Sequence, residues 1–240
     1  MNVYAGEALR RKCAIIMPAY NEEEALPEVI REWVGAAAKV DGTLVVLNDG
    51  SKDNTLAILK ESMRTHDNLI VIDKPNSGHG PTCLAGYRWA TEQGFEWVFQ
   101  TDSDGQTKSE EFLDAWKLTE HHDFIFGFRP TRGDGFGRWV ISRVLRLTIL
   151  MIFGVAVRDA NVPFRIMRAS KLPPFLDRIP KDLFLANAYL AVLIRKSPEK
   201  IRWVTISFSP RTGGVPSVSW RRFAAVGLRV IRDFRALREQ

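Results

Sequence analysis

Cysteine is scarce in this chain. Its 240 residues hold only Cys13 and Cys83, 70 positions apart. That spacing excludes a disulfide framework and a thiolate cluster, and it favours a reducing compartment, so a cytoplasmic location is expected. The four histidines (His66, His79, His121 and His122) show no zinc-ligand spacing with a cysteine. A basic start (Arg10, Arg11, Lys12) is followed by an apolar run too short for a secretory leader. Long apolar runs are also lacking: the longest, residues 141–157, is interrupted by Arg143 and Arg146 and is too short for a membrane span. No repeat, low-complexity tract or linker marks a boundary, so one domain over residues 1–240 is expected, with a nucleotide half (1–130) and an acceptor half (131–240).

Charge is present but uneven. Residues 1–128 carry 12 Lys+Arg against 21 Asp+Glu, a net of −9; residues 129–240 carry 22 against 7, a net of +15; together these give the overall +6. The second half should therefore face something anionic: nucleic acid, phospholipid or a phosphorylated substrate. It contains no recognisable nucleic-acid-binding module, so nucleic acid is not expected as a partner.

The first half alternates strand-like and helix-like segments. Apolar runs at 14–17, 43–47, 69–72, 95–100 and 123–128 read as strands; 23–38, 53–65, 79–93 and 109–121 have helical spacing, with Asp53 as an N-cap. This alternation predicts an α/β fold with a mostly parallel central sheet and helices on both faces. The second half breaks the rhythm. Helices are expected at 140–157, 182–195 and 220–240, extended chain at 158–167, and a strand at 201–208.

In open parallel sheets, ligands bind beyond the carboxyl ends of the strands, and the unusual polar residues fall there. Strand one ends in Pro18-Ala19-Tyr20-Asn21-Glu22, strand two in Asn48-Asp49-Gly50-Ser51-Lys52-Asp53, and strand four in Asp102-Ser103-Asp104-Gly105-Gln106. Asp102 and Asp104, two apart at a strand end, can be brought round one ion by a turn at Gly105. Hard carboxylate oxygens suit Mg²⁺ or Mn²⁺, which keep open positions for phosphate oxygens. Taken alone the D-x-D pattern is also what a solvated turn looks like.

These segments, with the Gly-rich Asn76-Ser77-Gly78-His79-Gly80, occur in an order and spacing that resembles family 2 glycosyltransferases of the GT-A (Rossmann-like) fold over residues 13–130. The resemblance implies that Pro18, Tyr20, Glu22 and Asp49 line a nucleotide pocket, together with Asp102 and Ser103. It also implies that Asp102, Asp104 and Gln106 hold Mg²⁺ or Mn²⁺. Most relatives have Asp where this chain has Asn48. Downstream, Gly127-Phe128-Arg129, Arg138-Trp139-Val140-Ile141-Ser142 and Asp159-Ala160-Asn161-Val162-Pro163-Phe164-Arg165 are similar to motifs of the dolichyl- or polyprenyl-phosphate mannose synthase group, with Pro163 in place of a glycine. By that resemblance Asp104, Arg129 and Arg138 assist catalysis, while Ser142, Asp159, Arg165 and Arg211 contact substrate or acceptor. Guanidinium forks match phosphate oxygens with paired hydrogen bonds.

An obvious Glu-Asp pair is missing late in the chain. Transfer to a hydroxyl generally needs a carboxylate base, whereas a phosphate is already ionised. The expected reaction is therefore inverting transfer from a nucleotide-diphosphate sugar to a lipid phosphate, with Asp159 or Asp182 as bases if the acceptor is instead a hydroxyl. A non-catalytic nucleotide-sugar-binding subunit is the remaining alternative. The tail carries an apolar stripe (Phe223, Val226, Val230, Phe234, Leu237) opposite arginines. This helix, and the one at 140–157, can pack on the domain or touch an anionic membrane surface.

Overall fold

The computed structural model describes residues 1–5, 12–130, 136–207 and 220–238. Its strands are β1 (Asn2–Ala5), β2 (Cys13–Ala19), β3 (Gly42–Asp49), β4 (Leu69–Lys74), β5 (Trp97–Thr101), β6 (Phe124–Phe128), β7 (Phe164–Arg168) and β8 (Ile201–Thr205). The helices are α1 (Leu26–Lys39), α2 (Thr55–Ser62), α3 (His79–Glu92), α4 (Ser109–Trp116), α5 (Phe136–Phe153), α6 (Pro173–Leu176), α7 (Ala186–Lys196) and α8 (Trp220–Arg238).

All eight strands form one sheet in the order β1-β4-β3-β2-β5-β7-β6-β8. β2, β3 and β5 are buried along their whole length, which is why their sequences read as continuous apolar runs rather than alternating ones. The α/β fold and the sheet covered on both faces are as the alternation predicts. One face packs Trp33, Phe99, Phe112 and Phe164 with the apolar sides of α1, α2 and α4. The other packs α3, α6, α7 and the inner sides of α5 and α8.

Two features depart from the expected parallel order. β7 lies between β5 and β6 and is antiparallel to both, so the fifth predicted strand is not the neighbour of the fourth. β1 adds an antiparallel edge beside β4. The remaining pairings (β2–β3, β2–β5, β3–β4 and β6–β8) are parallel.

The C-terminal stripe is resolved in favour of packing over its described part. Val230, Phe234 and Leu237 are buried, the Phe234 ring meets Phe153 at 5.4 Å, and Tyr189 donates to the Leu237 carbonyl at 3.3 Å. Phe223 and Val226 lie outside the described side chains.

Candidate functional site

The loops after β2 and β3 are stitched to one another. Asn21 turns the chain with φ of 54°, a conformation asparagine tolerates better than most residues. Its backbone N–H donates to the Ser51 hydroxyl and its side-chain oxygen accepts from the Lys52 N–H. The Glu22 N–H donates to Thr55 Oγ1, the Glu23 N–H to Asp53 Oδ2, and the Asn54 N–H to Glu23 Oε2. Asp53 Oδ1 accepts from the Thr55 N–H. The N-cap of α2 is Asn54 and not the expected Asp53, which sits one residue earlier and accepts from the first helical N–H. The two motifs are one structure, and Tyr20 and Glu22 hold their places at the rim because of it.

Asn48 explains its own departure from the family pattern. Its amide donates to Asp73 Oδ1 at 2.7 Å across the β3–β4 register. An aspartate there would set two carboxylates against each other, a repulsion that asparagine removes. Asp49 is buried and engaged rather than bare. Lys74 pairs with it, and the N–H groups of Ser77 and Gly78 donate to its two oxygens at 2.9 and 2.8 Å. Burial alone would raise its pKa; Lys74, the Ser77 N–H and the Thr82 hydroxyl outweigh that and hold it below the usual carboxylate range. Asp49 therefore shapes the loop that leads into α3.

That helix starts at the cleft without a side-chain cap, so the positive end of its dipole lies at the cleft edge and favours negative charge there. Gly80 is required at this point: a Cβ would come within 2.3 Å of the Phe184 carbonyl oxygen.

After β5 the chain forms a tight turn. Thr101 and Thr107 hydroxyls meet at 2.5 Å, Gly105 takes φ of 70°, and the Gln106 N–H donates to Asp104 Oδ1 at 3.2 Å. Asp102 Oδ1 accepts from Gln100 Nε2 at 3.0 Å and meets His79 Nε2 at 2.9 Å. Behind it runs a buried relay: Tyr87 donates to Asn187 Oδ1 at 2.7 Å, and Asn187 Nδ2 donates to Gln100 Oε1 at 3.2 Å. Every member has one consistent donor–acceptor assignment, so the Asp102 carboxylate is held in one rotation. Replacing Asn187 with Leu should leave the Tyr87 hydroxyl and Gln100 oxygen unsatisfied and lower stability by about 2–3 kcal/mol. It should also shift the midpoint of Mn²⁺ binding at the Asp102 carboxylate upward by about 10–100-fold. A thermal melt with a Mn²⁺ titration checks both; a lowered melt with an unmoved midpoint would mean a purely structural relay.

These loops enclose a cleft of about 430 Å³ lined by Pro18, Ala19, Tyr20, Glu22, Asp49, Asn76, Gly78, His79, Thr82, Asp102, Ser103 and Asp104. Every residue expected to line a nucleotide pocket is among them. The two hard carboxylates suit a divalent cation whose other positions are filled by substrate phosphates. Among the described residues no group of three His, Cys, Asp or Glu forms a cage. Gln106, expected as a third ligand, is buried and does not line the cleft; His79 stands beside Asp102 instead. Its contact with Asp102 spans 23 positions, and only its place in the Gly-rich loop hinted at it.

Three residues of the second half are not where the resemblance implies. Arg129 and Asp159 do not line the cleft but bind each other, Nε to Oδ2 at 2.8 Å and Nη2 to Oδ1 at 3.0 Å, with both side chains 6% exposed. Arg165, expected to contact acceptor, is fully buried. Its guanidinium donates to the carbonyls of Val162, Asn187 and Ala160 at 3.0, 2.7 and 2.7 Å and lies over the Phe126 ring. A buried guanidinium must satisfy its donors internally, and this one does so by fixing the segment before β7. Ser142 is half-buried on α5. The Arg138 side chain and all of Arg211 lie outside the described residues.

The mixed α/β sheet with helices on both faces is the GT-A fold, shared with the solved structures below. A model of the family described as glycosyl transferase family 2 matches residues 14–180. The chain therefore belongs to glycosyl transferase family 2. It is 29% identical over 184 residues to the undecaprenyl-phosphate 4-deoxy-4-formamido-L-arabinose transferase of Pseudomonas syringae pv. syringae, a match covering 73% of this chain and 54% of that protein. It is 28% identical over 172 residues to the polyprenol monophosphomannose synthase of Mycolicibacterium smegmatis, covering 68% and 63%. The chain thus spans about half the length of the first curated relatives it matches. Among solved structures, glucosyl-3-phosphoglycerate synthase from Mycobacterium tuberculosis, in complex with Mn²⁺, UDP and phosphoglyceric acid, superposes with a TM-score of 0.66 at 17% identity, covering 95% of this chain and 78% of that one. Staphylococcus aureus TarS with UDP-GlcNAc superposes at 0.59 with 21% identity, covering 93% and 66%.

Proposed function

We propose that this chain transfers a sugar, with inversion, from a nucleotide-diphosphate sugar to a polyprenyl phosphate, using a divalent cation. The observation that carries this reading is the cleft itself: Asp102 and Asp104 beside the positive end of α3, with Tyr20, Glu22 and Asp49 on the same rim. A Mg²⁺ or Mn²⁺ ion held by Asp102 and Asp104 would neutralise the leaving diphosphate. The positive end of α3 favours that negative charge, and the stitched rim loops fix the donor's orientation.

The phosphate acceptor is supported by what the candidate bases do. Asp159 is locked to Arg129, and Asp182 is exposed and absent from the cleft lining. A phosphate needs neither. The two relatives described above are named as an undecaprenyl-phosphate sugar transferase and a polyprenol monophosphomannose synthase, which agrees. The reaction would occur at the cytoplasmic face of an anionic membrane, where such an acceptor resides, with Arg138 and Arg211 as candidate phosphate contacts.

Incubation with sugar-labelled donor, Mn²⁺ and polyprenyl phosphate should move label into an organic-extractable product. Label appearing instead on carbohydrate hydroxyls would assign the chain to hydroxyl transfer, and donor binding with no transfer to any acceptor would make it a binding subunit.

A further inference from the structure

Among the described residues, large apolar side chains are exposed at few places, and half of them lie on one helix. On α5, Val144 is 54% exposed, Leu147 54%, Leu150 48% and Met151 65%. Positions 144, 147 and 151 recur at steps of three and four, and 147 and 150 at three, so they share one face. The opposite face carries Ile149 and Phe153, both buried, with Leu145 and Ile152 packed against the same core. α5 is therefore apolar on both sides, one used by the core and one not. Exposed apolar faces of this kind mark interaction sites.

The charge around this face selects the occupant. Arg143 and Arg146 are exposed beside it, and no Asp or Glu occurs between residues 136 and 158. A second copy docking by a two-fold axis would set this patch against itself and bring like charges together. An anionic lipid surface meets both requirements, taking the aliphatic tips into its acyl boundary and the guanidiniums at its headgroups. No helix among the described residues is long and apolar enough to cross a membrane, so the contact would lie in the surface plane.

The position of α5 also fits. It is an excursion between β6 and β7, and the buried Arg129–Asp159 pair joins the chain just before it to the chain just after it. β7 then pairs with β5, whose end leads into Asp102 and Asp104. A surface bound by α5 is thus held in a fixed relation to the cleft.

We infer that the outer face of α5, formed by Val144, Leu147, Leu150 and Met151 with Arg143 and Arg146, docks the protein on an anionic lipid surface. The inference gives the proposed lipid acceptor a means of approach, and so rests on that reading for its purpose; the docking is measured without donor or acceptor.

The test is co-sedimentation with vesicles of phosphatidylcholine and phosphatidylglycerol, against phosphatidylcholine alone. The wild-type chain should bind the anionic vesicles preferentially and less as salt is raised. Leu147→Ser with Met151→Ser should weaken binding roughly tenfold or more, and Arg143→Gln with Arg146→Gln by about fivefold per arginine. The Ser residues replace exposed side chains, so the melting temperature should hold; Val144→Ser with Leu150→Ser is the second pair should the first fail to fold. Absence of vesicle binding by the wild type, or equal binding by the variants, would overturn the inference. So would a wild-type dimer that the Ser variants convert to monomer without any lipid binding. Vesicle binding as described, with no transfer to any polyprenyl phosphate, would sink the proposed function and leave the docking face standing.

Discussion

Asp104→Ala is expected to lower sugar transfer about a hundredfold or more while the chain stays folded. Asp104 lines the cleft, and removing a group that stabilises charge developing on a leaving diphosphate costs about 3–4 kcal/mol of transition-state stabilisation. The structural cost is smaller. Its oxygen accepts from the Gln106 N–H at 3.2 Å, and losing such a bond costs about 1 kcal/mol, too little to unfold a domain of this size. Transfer rate and melting temperature measured on the same preparation separate the two effects. Full transfer by Asp104→Ala in the presence of a chelator would end the metal-site reading.

Arg129→Met should produce the largest loss of stability. It leaves Asp159, whose side chain is 6% exposed, without the guanidinium that accounts for two of its hydrogen bonds. Breaking a buried ion pair from one side costs about 3–5 kcal/mol, whereas replacing both partners with apolar groups is often neutral. A drop of roughly 10 °C in melting temperature is therefore expected for Arg129→Met, with most of it recovered in Arg129→Met/Asp159→Leu. If instead both variants fold like the wild type and both lose transfer, Arg129 acts on substrate, as its motif resemblance implies, and not on Asp159.

From β2 to β5 the fold was legible because each strand there reads as an apolar run and each helix has helical spacing; the edge strand β1, which opens with Asn2, was not expected. Pro18, Tyr20, Glu22, Asp49 and the Asp102–Asp104 box fall at strand ends, and parallel strands bring such ends to one rim. The insertion of β7 between β5 and β6 could not be read this way. Residues 158–167 look extended, but which strands they join is decided by tertiary packing, and β7 pairs with residues some 65 positions earlier in sequence, as Thr101 with Phe164.

The polar relay escaped for the same reason: Asn187 reaches Gln100 across 87 positions and Tyr87 across 100, and neither belongs to a motif. Arg165 is the reverse case. It sits in a recognisable motif, yet its guanidinium binds three carbonyls inside the protein. Motif order placed it in the right region of the chain, but burial alone distinguishes an arginine that meets a phosphate from one that holds a loop.

The central claim is that Asp102 and Asp104 serve a cation shared with a nucleoside diphosphate. Calorimetric titration of the chain with uridine and guanosine diphosphates, in Mn²⁺ and then in chelator, tests it most directly. The account predicts that one diphosphate binds in Mn²⁺, that chelation weakens it about tenfold or more, and that Asp104→Ala abolishes the difference. Equal affinity with and without the metal, or binding that Asp104→Ala leaves unchanged, would contradict it.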